Sequence, residues 1–224
     1  MIRFPLLTAD TAPRFVILAN GEFPRTSLLL SILDRAAADP QGMIVCCDGA
    51  TEQLLDYGLT PDAVVGDLDS VGAAALRLPP ERLHHIGEQE TNDLTKAVTF
   101  SVREYAPASI CILGASGRRE DHLLGNVSLL PHYARLCERV VMPTDYGCFL
   151  AFDGEAEICV GYPDRQLSIF SFGGSRVAAQ GLVWPMPPSP LSELWQGTLN
   201  RSLSDTIRLS SDSPLVLFLA DEPR

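Results

Sequence analysis

The sequence predicts an α/β fold, a mainly parallel sheet flanked by helices, followed by a smaller all-β sandwich. Three observations carry this. Short apolar runs alternate with amphipathic segments as far as about residue 143, the pattern of strands laid parallel by helical crossovers. The texture changes after Tyr146, where short β-rich pieces separated by glycine and proline follow with no long helical period. Several early apolar runs also stop at turn residues or acids, and in such sheets ligands sit beyond the carboxyl ends of the strands. The expected division is residues 1–145 and 146–224.

Taken in order, Arg14 to Asn20 is a strand-like run ending in the turn signal Asn20-Gly21. Leu28, Leu29, Ile32 and Leu33 recur at helical spacing, with Ser27 as the expected cap. Met43 to Cys47 is a strand stopping at Asp48-Gly49, and Thr51 to Tyr57 a short helix ended by Gly58. Ala63 to Val65 and Leu83 to Ile86 are further strands. Asp93 to Tyr105 is a helix stopped before Pro107, and Ser109 to Leu113 a strand running into Gly114. His122 to Cys137 is amphipathic apart from Pro131, expected to kink or divide it. Val140 to Met142 closes the series. The later strands are expected at Cys148–Phe152, Ile158–Val160, Gln166–Phe172, Arg176–Ala179, Thr206–Leu209 and Leu215–Leu219, with a proline-rich connection from Pro185 to Pro190.

The chain has 224 residues and a formal net charge of −11. That balance, with Arg118-Arg119 the longest cationic cluster, argues against a nucleic-acid partner. It permits a metal–phosphate ligand, because the ion brings compensating charge. The six cysteines form no CxxC pair and sit mostly in apolar runs, as reduced thiols of a cytoplasmic protein do. The first ten residues lack the basic-then-apolar pattern of a signal peptide, and no run approaches the ~20 apolar residues of a membrane helix. The expectation is a cytoplasmic protein with no membrane partner.

Chemistry gathers at three stretches. In Ala63-Val64-Val65-Gly66-Asp67-Leu68-Asp69-Ser70 a buried strand enters a glycine, then two carboxylates at i and i+2. Residues two apart on an extended segment point the same way, and paired acids repel unless a cation or proton lies between them. Magnesium with phosphate ligands is the usual such cation. A turn in which both acids only accept backbone hydrogen bonds explains the spacing equally well. In Glu90 to Lys96, Asp93 at a helix start is explained by the helix dipole alone. The functional alternative makes it a further metal carboxylate, with Lys96 a turn along and able to reach phosphate. Gly114 to His122 follows a strand and precedes a helix, with two glycines, Arg118, Arg119, Asp121 and His122. It is neither a P-loop nor GxGxxG, yet suits an anion cradle with arginine contact. The alternative is a solvated turn with Asp121 capping the helix. His122 is either a general acid or base or a histidine hydrogen-bonded at the helix start. In the C-terminal part, Trp184 is a core residue or an aromatic platform for a cationic ring. Thr198 to Ser202 is a polar turn.

The set of motifs, in order and spacing, resembles the thiamine pyrophosphokinase family. Asp48-Gly49-Ala50 is similar to its DGA/DGG turn. Pro61-Asp62 with Gly66-Asp67-Leu68-Asp69-Ser70 resembles its PD-x-x-x-GD-x-DS signature, and Asn92 to Ala97 its TD-x-x-KA segment. Gly114 through His122, with Asn126, follows its G-x-x-G-G-R-x-DH-x-x-x-N pattern, and Gly181 to Pro185 and Gly197 to Asn200 follow its GL-x-W-P and G-x-SN elements. The resemblance implies an α/β nucleotide-binding catalytic domain and a thiamine-binding β-sandwich in a homodimer, with thiamine near the subunit interface. It implies ATP plus thiamine giving AMP plus thiamine diphosphate, with Mg2+. Asp67, Asp69 and Asp93 would hold the metal. Asp48, Asp67, Lys96, Arg119 and His122 would meet ATP and its phosphates, and Asp69, Asp93, Arg119 and Asp121 would serve the reaction. Trp184, Asn200 and Ser202 would belong to the thiamine side. The sequence departs from the family pattern at three places. Arg118 replaces the second glycine of the pair, which is expected to deny the loop a glycine-only conformation. Asn92 stands for threonine and Leu199 for serine.

A magnesium-dependent phosphohydrolase would use the same acidic site with water as nucleophile, and a sensor would bind nucleotide or thiamine without turnover. Trp184 and the β part favour a second organic substrate over the first.

Overall fold

Strands apolar on both faces require cover on both faces, and this requirement sets the architecture. The computed structural model describes residues 1–73 and 77–221. Its strands are β1 (Ile2–Phe4), β2 (Phe15–Leu18), β3 (Met43–Cys47), β4 (Ala63–Gly66), β5 (Leu83–His85), β6 (Ser109–Leu113), β7 (Arg139–Thr144) and β8 (Gly147–Phe152). They continue with β9 (Glu155–Cys159), β10 (Gln166–Phe170), β11 (Arg176–Gln180), β12 (Met186–Pro190), β13 (Asn200–Arg201), β14 (Thr206–Ser211) and β15 (Leu215–Ala220). The helices are α1 (Ser27–Ala38), α2 (Thr51–Tyr57), α3 (Asp93–Tyr105) and α4 (Glu120–Tyr133).

Ten strands form one sheet in the order β13-β10-β15-β8-β7-β6-β2-β3-β4-β5. From β7 to β5 every neighbouring pair is parallel. Side chains alternate across it. Ile17, Val45, Ala63 and Val65 join the core beneath α3 and α4, while Val16, Leu18, Ile44, Cys46 and Val64 join the core beneath α1 and α2. The α1 residues Leu29, Ile32, Leu33 and Ala36 supply that second core with a stripe at helical spacing. On the other face, a buried hydrogen bond of 2.8 Å between Thr95 Oγ1 and Tyr133 Oη ties α3 to α4.

The parallel sheet does not stop where the helices do. Asp145 and Tyr146 turn β7 into antiparallel β8, and β15, β10 and β13 continue the same sheet. The second sheet, β1-β9-β14-β11-β12, packs on this continuation. Phe152, Leu167, Ile169, Leu215 and Leu217 face Ile158, Val177, Ile207 and Leu209 in a third core. The C-terminal part is therefore a sandwich, as expected, but one of its layers is the extension of the α/β sheet. The first strand, β1, lies in the five-stranded sheet, parallel to β9, although the expected division places it with the α/β part.

Three elements differ from expectation. The proline-rich connection contains β12, and its prolines are tolerated because β12 is an edge strand with β11 as its one neighbour in that sheet. Ser27 is the first residue of α1, and the N-cap is Thr26, without a side-chain cap bond. The Asp145 carboxylate reaches across to accept from the Arg25 and Thr26 N–H groups. Pro131 stays inside α4 near its end. Among the described residues, no helix is long and apolar enough to cross a membrane.

Candidate active site

From β2 the chain builds outward to β3, β4 and β5, then returns to lay β6 and β7 on the opposite side of β2. The carboxyl ends of β2 and β6 thus diverge at a topological switch point, where open α/β sheets bind ligands. A cavity of about 350 Å³ opens there, walled by Asn20 and Gly21 after β2 and by Gly114 to Arg119 after β6. Asn92 and Asp93 of the α3 start and His122 and Asn126 of α4 complete it.

Backbone contacts hold the two walls together. Gly21 N–H donates to Gly114 O (2.7 Å) and Glu22 N–H to Ser116 O (2.8 Å). A Cβ on Gly21 would lie 2.3 Å from Gly114 O, so only glycine allows this approach. Asn126 Nδ2 donates to Ala115 O (2.9 Å), and Asn92 Nδ2 to Asn126 Oδ1 (3.3 Å), joining the starts of α3 and α4 to the loop. Asn92 also caps α3, accepting from Thr95 N–H (2.9 Å).

The acids converge unevenly. Asp48, at the end of β3, is 2 % exposed. Its Oδ1 accepts from Gly49 N–H at 2.5 Å, and its Oδ2 is buried without a hydrogen-bond partner. Burial first, and the Asp93 charge second, push the Asp48 carboxyl up from the usual carboxylate range, partly offset by the N–H groups of Gly49 and Ser70. Asp67 lies against Asp48 but goes the other way. Hydrogen bonds from Asp69 N–H and from Gln89 Nε2 hold it below the ordinary value. Asp69 is exposed, and its N–H contributes to this turn. Lys96 is buried, with Nζ 3.2 Å from Asp93 Oδ1. Arg119 grips Asp121 through Nε (3.0 Å) and Nη2 (2.6 Å), which keeps the Asp121 carboxyl below its usual range. Asp121 does not cap α4, whose N-cap is Arg119 without a side-chain cap bond.

The structure therefore brings together Asp48, Asp67, Asp93 and Lys96, with Arg119 and His122 on the facing wall and Asp121 beside Arg119. For a divalent cation, the fit rests on Asp48. Its orphaned Oδ2 sits where a Cβ on Gly66 would come within 3.0 Å, and the donors around it are all hard carboxylate oxygens. Among the described residues, no three acids, histidines or cysteines are gathered closely enough to enclose an ion. A cation here would draw on phosphate and water for its remaining ligands.

The residues expected on the thiamine side lie elsewhere. Trp184 is 56 % exposed. Asn200 is buried, and its amide pins the Trp184 backbone, accepting from Trp184 N–H (3.2 Å) and donating to Trp184 O (2.9 Å). Ser202 is buried too, its hydroxyl donating to Tyr162 O and accepting from Arg165 N–H. The cavity at the switch point is lined by none of the three. Asn20 and Gln89 join the site without a motif of their own: Asn20 reads in the sequence as a turn, and its position after an apolar strand is the one local signal.

Two family models match the chain. The thiamin pyrophosphokinase catalytic domain covers residues 36–142, and the thiamin pyrophosphokinase substrate-binding domain covers 147–218. The chain belongs to the thiamin pyrophosphokinase family. Thiamine pyrophosphokinase 1 of Oryza sativa subsp. japonica is 26 % identical over 233 residues, spanning 90 % of this chain and 84 % of that protein. Thiamine pyrophosphokinase of Bacillus subtilis is 33 % identical over 96 residues, 41 % of this chain and 44 % of the relative. The fold is shared with the crystal structure of the Bacillus subtilis enzyme, at TM-score 0.75 and 21 % identity, covering 93 % of this chain and 99 % of that one. It is shared also with thiamin pyrophosphokinase from Candida albicans, at TM-score 0.75 and 15 % identity, covering 99 % and 93 %.

Proposed function

We infer that this chain transfers the diphosphoryl group of ATP to the hydroxyl of thiamine, giving thiamine diphosphate and AMP. The observation that carries this, within the family just established, is the glycine loop closed against the end of β2 with the Asp48–Asp67–Asp93 cluster beside it. The thiamine hydroxyl oxygen forms a bond to the β-phosphorus while the bond from that phosphorus to the α,β-bridging oxygen breaks, and AMP leaves. Asp121 is proposed to accept or orient the hydroxyl proton; the Arg119 bond that lowers its carboxyl weakens it as a base and favours the orienting role. Positioning and charge neutralisation carry most of such a reaction. Lys96 and Arg119 serve the phosphates, with Asp48 and His122 on the nucleotide.

Mg2+ is the proposed metal; Asp67, Asp69 and Asp93 would hold it, with the unpartnered Asp48 oxygen as a further carboxylate beside them. When bound it neutralises charge on the phosphate oxygens. Trp184, its backbone held by Asn200, is the proposed thiamine platform, with Asn200 and Ser202 as the other proposed residues of the thiamine side. Asn200 lies on β13, five strand spacings from β6 in the same sheet, or about 24 Å at ~4.8 Å per spacing. This separation supports a homodimer in which the platform of one copy serves the phosphate cavity of the other. The matched segments, ending at 142 and resuming at 147, support the division at 145/146. Six free cysteines suit the cytoplasm.

The test is AMP release from ATP and Mg2+ with and without thiamine, with mass identification of the product. Thiamine-dependent AMP and a diphosphorylated product are expected. Hydrolysis indifferent to thiamine would overturn the reading, as would ligand binding without turnover.

A further inference from the structure

The glycine loop carries two adjacent arginines in unlike circumstances. Arg119 is already held by a carboxylate through two hydrogen bonds, and Lys96 by Asp93. Among the described residues, Arg118 donates through Nη1 to neutral oxygens alone, Asn20 O at 3.4 Å and Asn20 Oδ1 at 3.3 Å. Both contacts are long, and Asn20 Oδ1 also accepts from Gln53 Nε2, so Asn20 keeps a partner when the arginine leaves. Arg118 sits on the ridge between the switch-point cavity and a second cavity of about 430 Å³ floored by Phe149 and Phe218. Its backbone has φ 30°, a left-handed conformation that disfavours any residue with a Cβ. A cation is thus kept, at a conformational cost, at the mouth of a cavity whose other lining arginine, Arg119, is already paired with an acid.

We propose that Arg118 is a second arginine on the polyphosphate of the nucleotide, its guanidinium leaving Asn20 to take phosphate oxygens. The inference rests on the reading of this cavity as the ATP site. It assigns to this chain a phosphate contact beyond the arginine of the family motif. Planar guanidinium groups bind phosphate oxygens in pairs and are weakly hydrated, so exchange from a neutral amide to an anion is favourable.

The experiment compares wild type with Arg118→Gly and Arg118→Lys. KM for ATP and for thiamine is measured by AMP release, binding of inorganic tripolyphosphate by calorimetry, and melting temperature by scanning. Loss of one charge-assisted contact should raise KM for ATP and weaken tripolyphosphate by about ten- to hundredfold, with KM for thiamine unchanged. Arg118→Lys should recover part of the loss. Arg118→Gly, freed of the left-handed cost of about 1–2 kcal/mol, should melt roughly 2–8 °C higher, so weaker binding would coincide with a more stable fold. Unchanged KM for ATP and unchanged tripolyphosphate affinity in Arg118→Gly would overturn the proposal while leaving the transferase reading intact. If the wild type binds tripolyphosphate through Arg118 but makes no thiamine-dependent AMP, the phosphate contact stands and the transferase reading falls. A wild type that binds no tripolyphosphate overturns the proposal.

Discussion

Replacing Asp48 with asparagine should make the ligand-free protein more stable and inactive at once. The Asp48 side chain is buried, one oxygen has no donor, and the carboxyls of Asp67 and Asp93 lie close to it. An unsatisfied buried polar atom costs about 1–3 kcal/mol. Asparagine retains the Oδ1 acceptor for Gly49 N–H and turns an amide donor toward Asp67. A gain of this size corresponds to roughly 2–12 °C in melting temperature for a chain of this length. The pH dependence gives the sharper check. Because the Asp48 carboxyl is pushed up in the folded protein, the folded state binds its proton more tightly than the unfolded chain. Its contribution to stability is present below the unfolded value near 4 and is lost as pH rises through the folded value. Asparagine has no such loss, so the gap between variant and wild type should open as pH rises from about 4 toward 7. Scanning calorimetry without metal or nucleotide, at intervals across that range, measures it. A variant that melts below wild type at pH 7, or a gap independent of pH, would refute the reasoning.

Other substitutions probe separate parts of the argument. Gly21→Ala puts a Cβ 2.3 Å from Gly114 O and should cost about 1–3 kcal/mol, read as a lower urea midpoint. Asp69→Asn, at an exposed position, should abolish AMP release with the melting temperature unchanged, and wild-type turnover would remove Asp69 from the metal site. Trp184→Ala should alter stability by less than about 0.5 kcal/mol because the ring is largely exposed. It should also raise KM for thiamine with KM for ATP unchanged. Arg165→Met removes donors to Val160 O, Ala220 O and Asp221 Oδ1. The loss of about 2–3 kcal/mol should appear in a denaturant titration.

What was legible in the sequence was what periodicity and local chemistry encode. Helix α3 was expected from Asp93 to Tyr105 and forms over those residues, because Asn92 can cap it and Pro107 forbids its continuation. The parallel strands were legible because an unbroken apolar run needs no knowledge of its neighbours. Pairing is a different matter. Nothing in Asp145-Tyr146 announces that the turn carries the parallel sheet on into an antiparallel one, since the partner β15 lies some 65 residues later. Edge strands were hidden for a related reason. Prolines in Met186–Pro190 read as a connection, and they become tolerable only once β11 alone is beside them. In the site, the DGA turn located Asp48, but its burial and unpartnered oxygen depend on Gly66 of the adjacent strand, which local sequence does not bring together with it. Asn200 and Ser202 were expected to serve a substrate. Their partners in the fold are backbone groups brought beside them: Asn200 holds the Trp184 backbone, and Ser202 joins Tyr162 and Arg165.

The backbone itself marks where function was placed ahead of comfort. Among the described residues, Leu68, Ala106, Arg118, Asp164 and Leu199 have positive φ without being glycine. Ala106 ends a helix, where such a conformation is ordinary. Three of the others fall inside motif loops: Leu68 between Asp67 and Asp69, Arg118 in the glycine loop, and Leu199 just before Asn200. The sequence suggested that Arg118 would deny its loop the glycine-like conformation. At φ 30° the loop adopts it nonetheless, because the contacts of Gly21 and Glu22 with Gly114 and Ser116 fix the path on its N-terminal side. Each left-handed residue costs about 1–2 kcal/mol and persists only where its surroundings over-determine it. At Leu68 the surroundings are the Asp69 N–H bond to Asp67, which aims the acidic turn. At Leu199 the N–H bond to Ser168 Oγ and the Asn200 side chain fix the loop under Trp184. Strain is thus concentrated at the acidic turn, the glycine loop and the loop beneath Trp184, the three parts that the proposed transfer would have to hold in register.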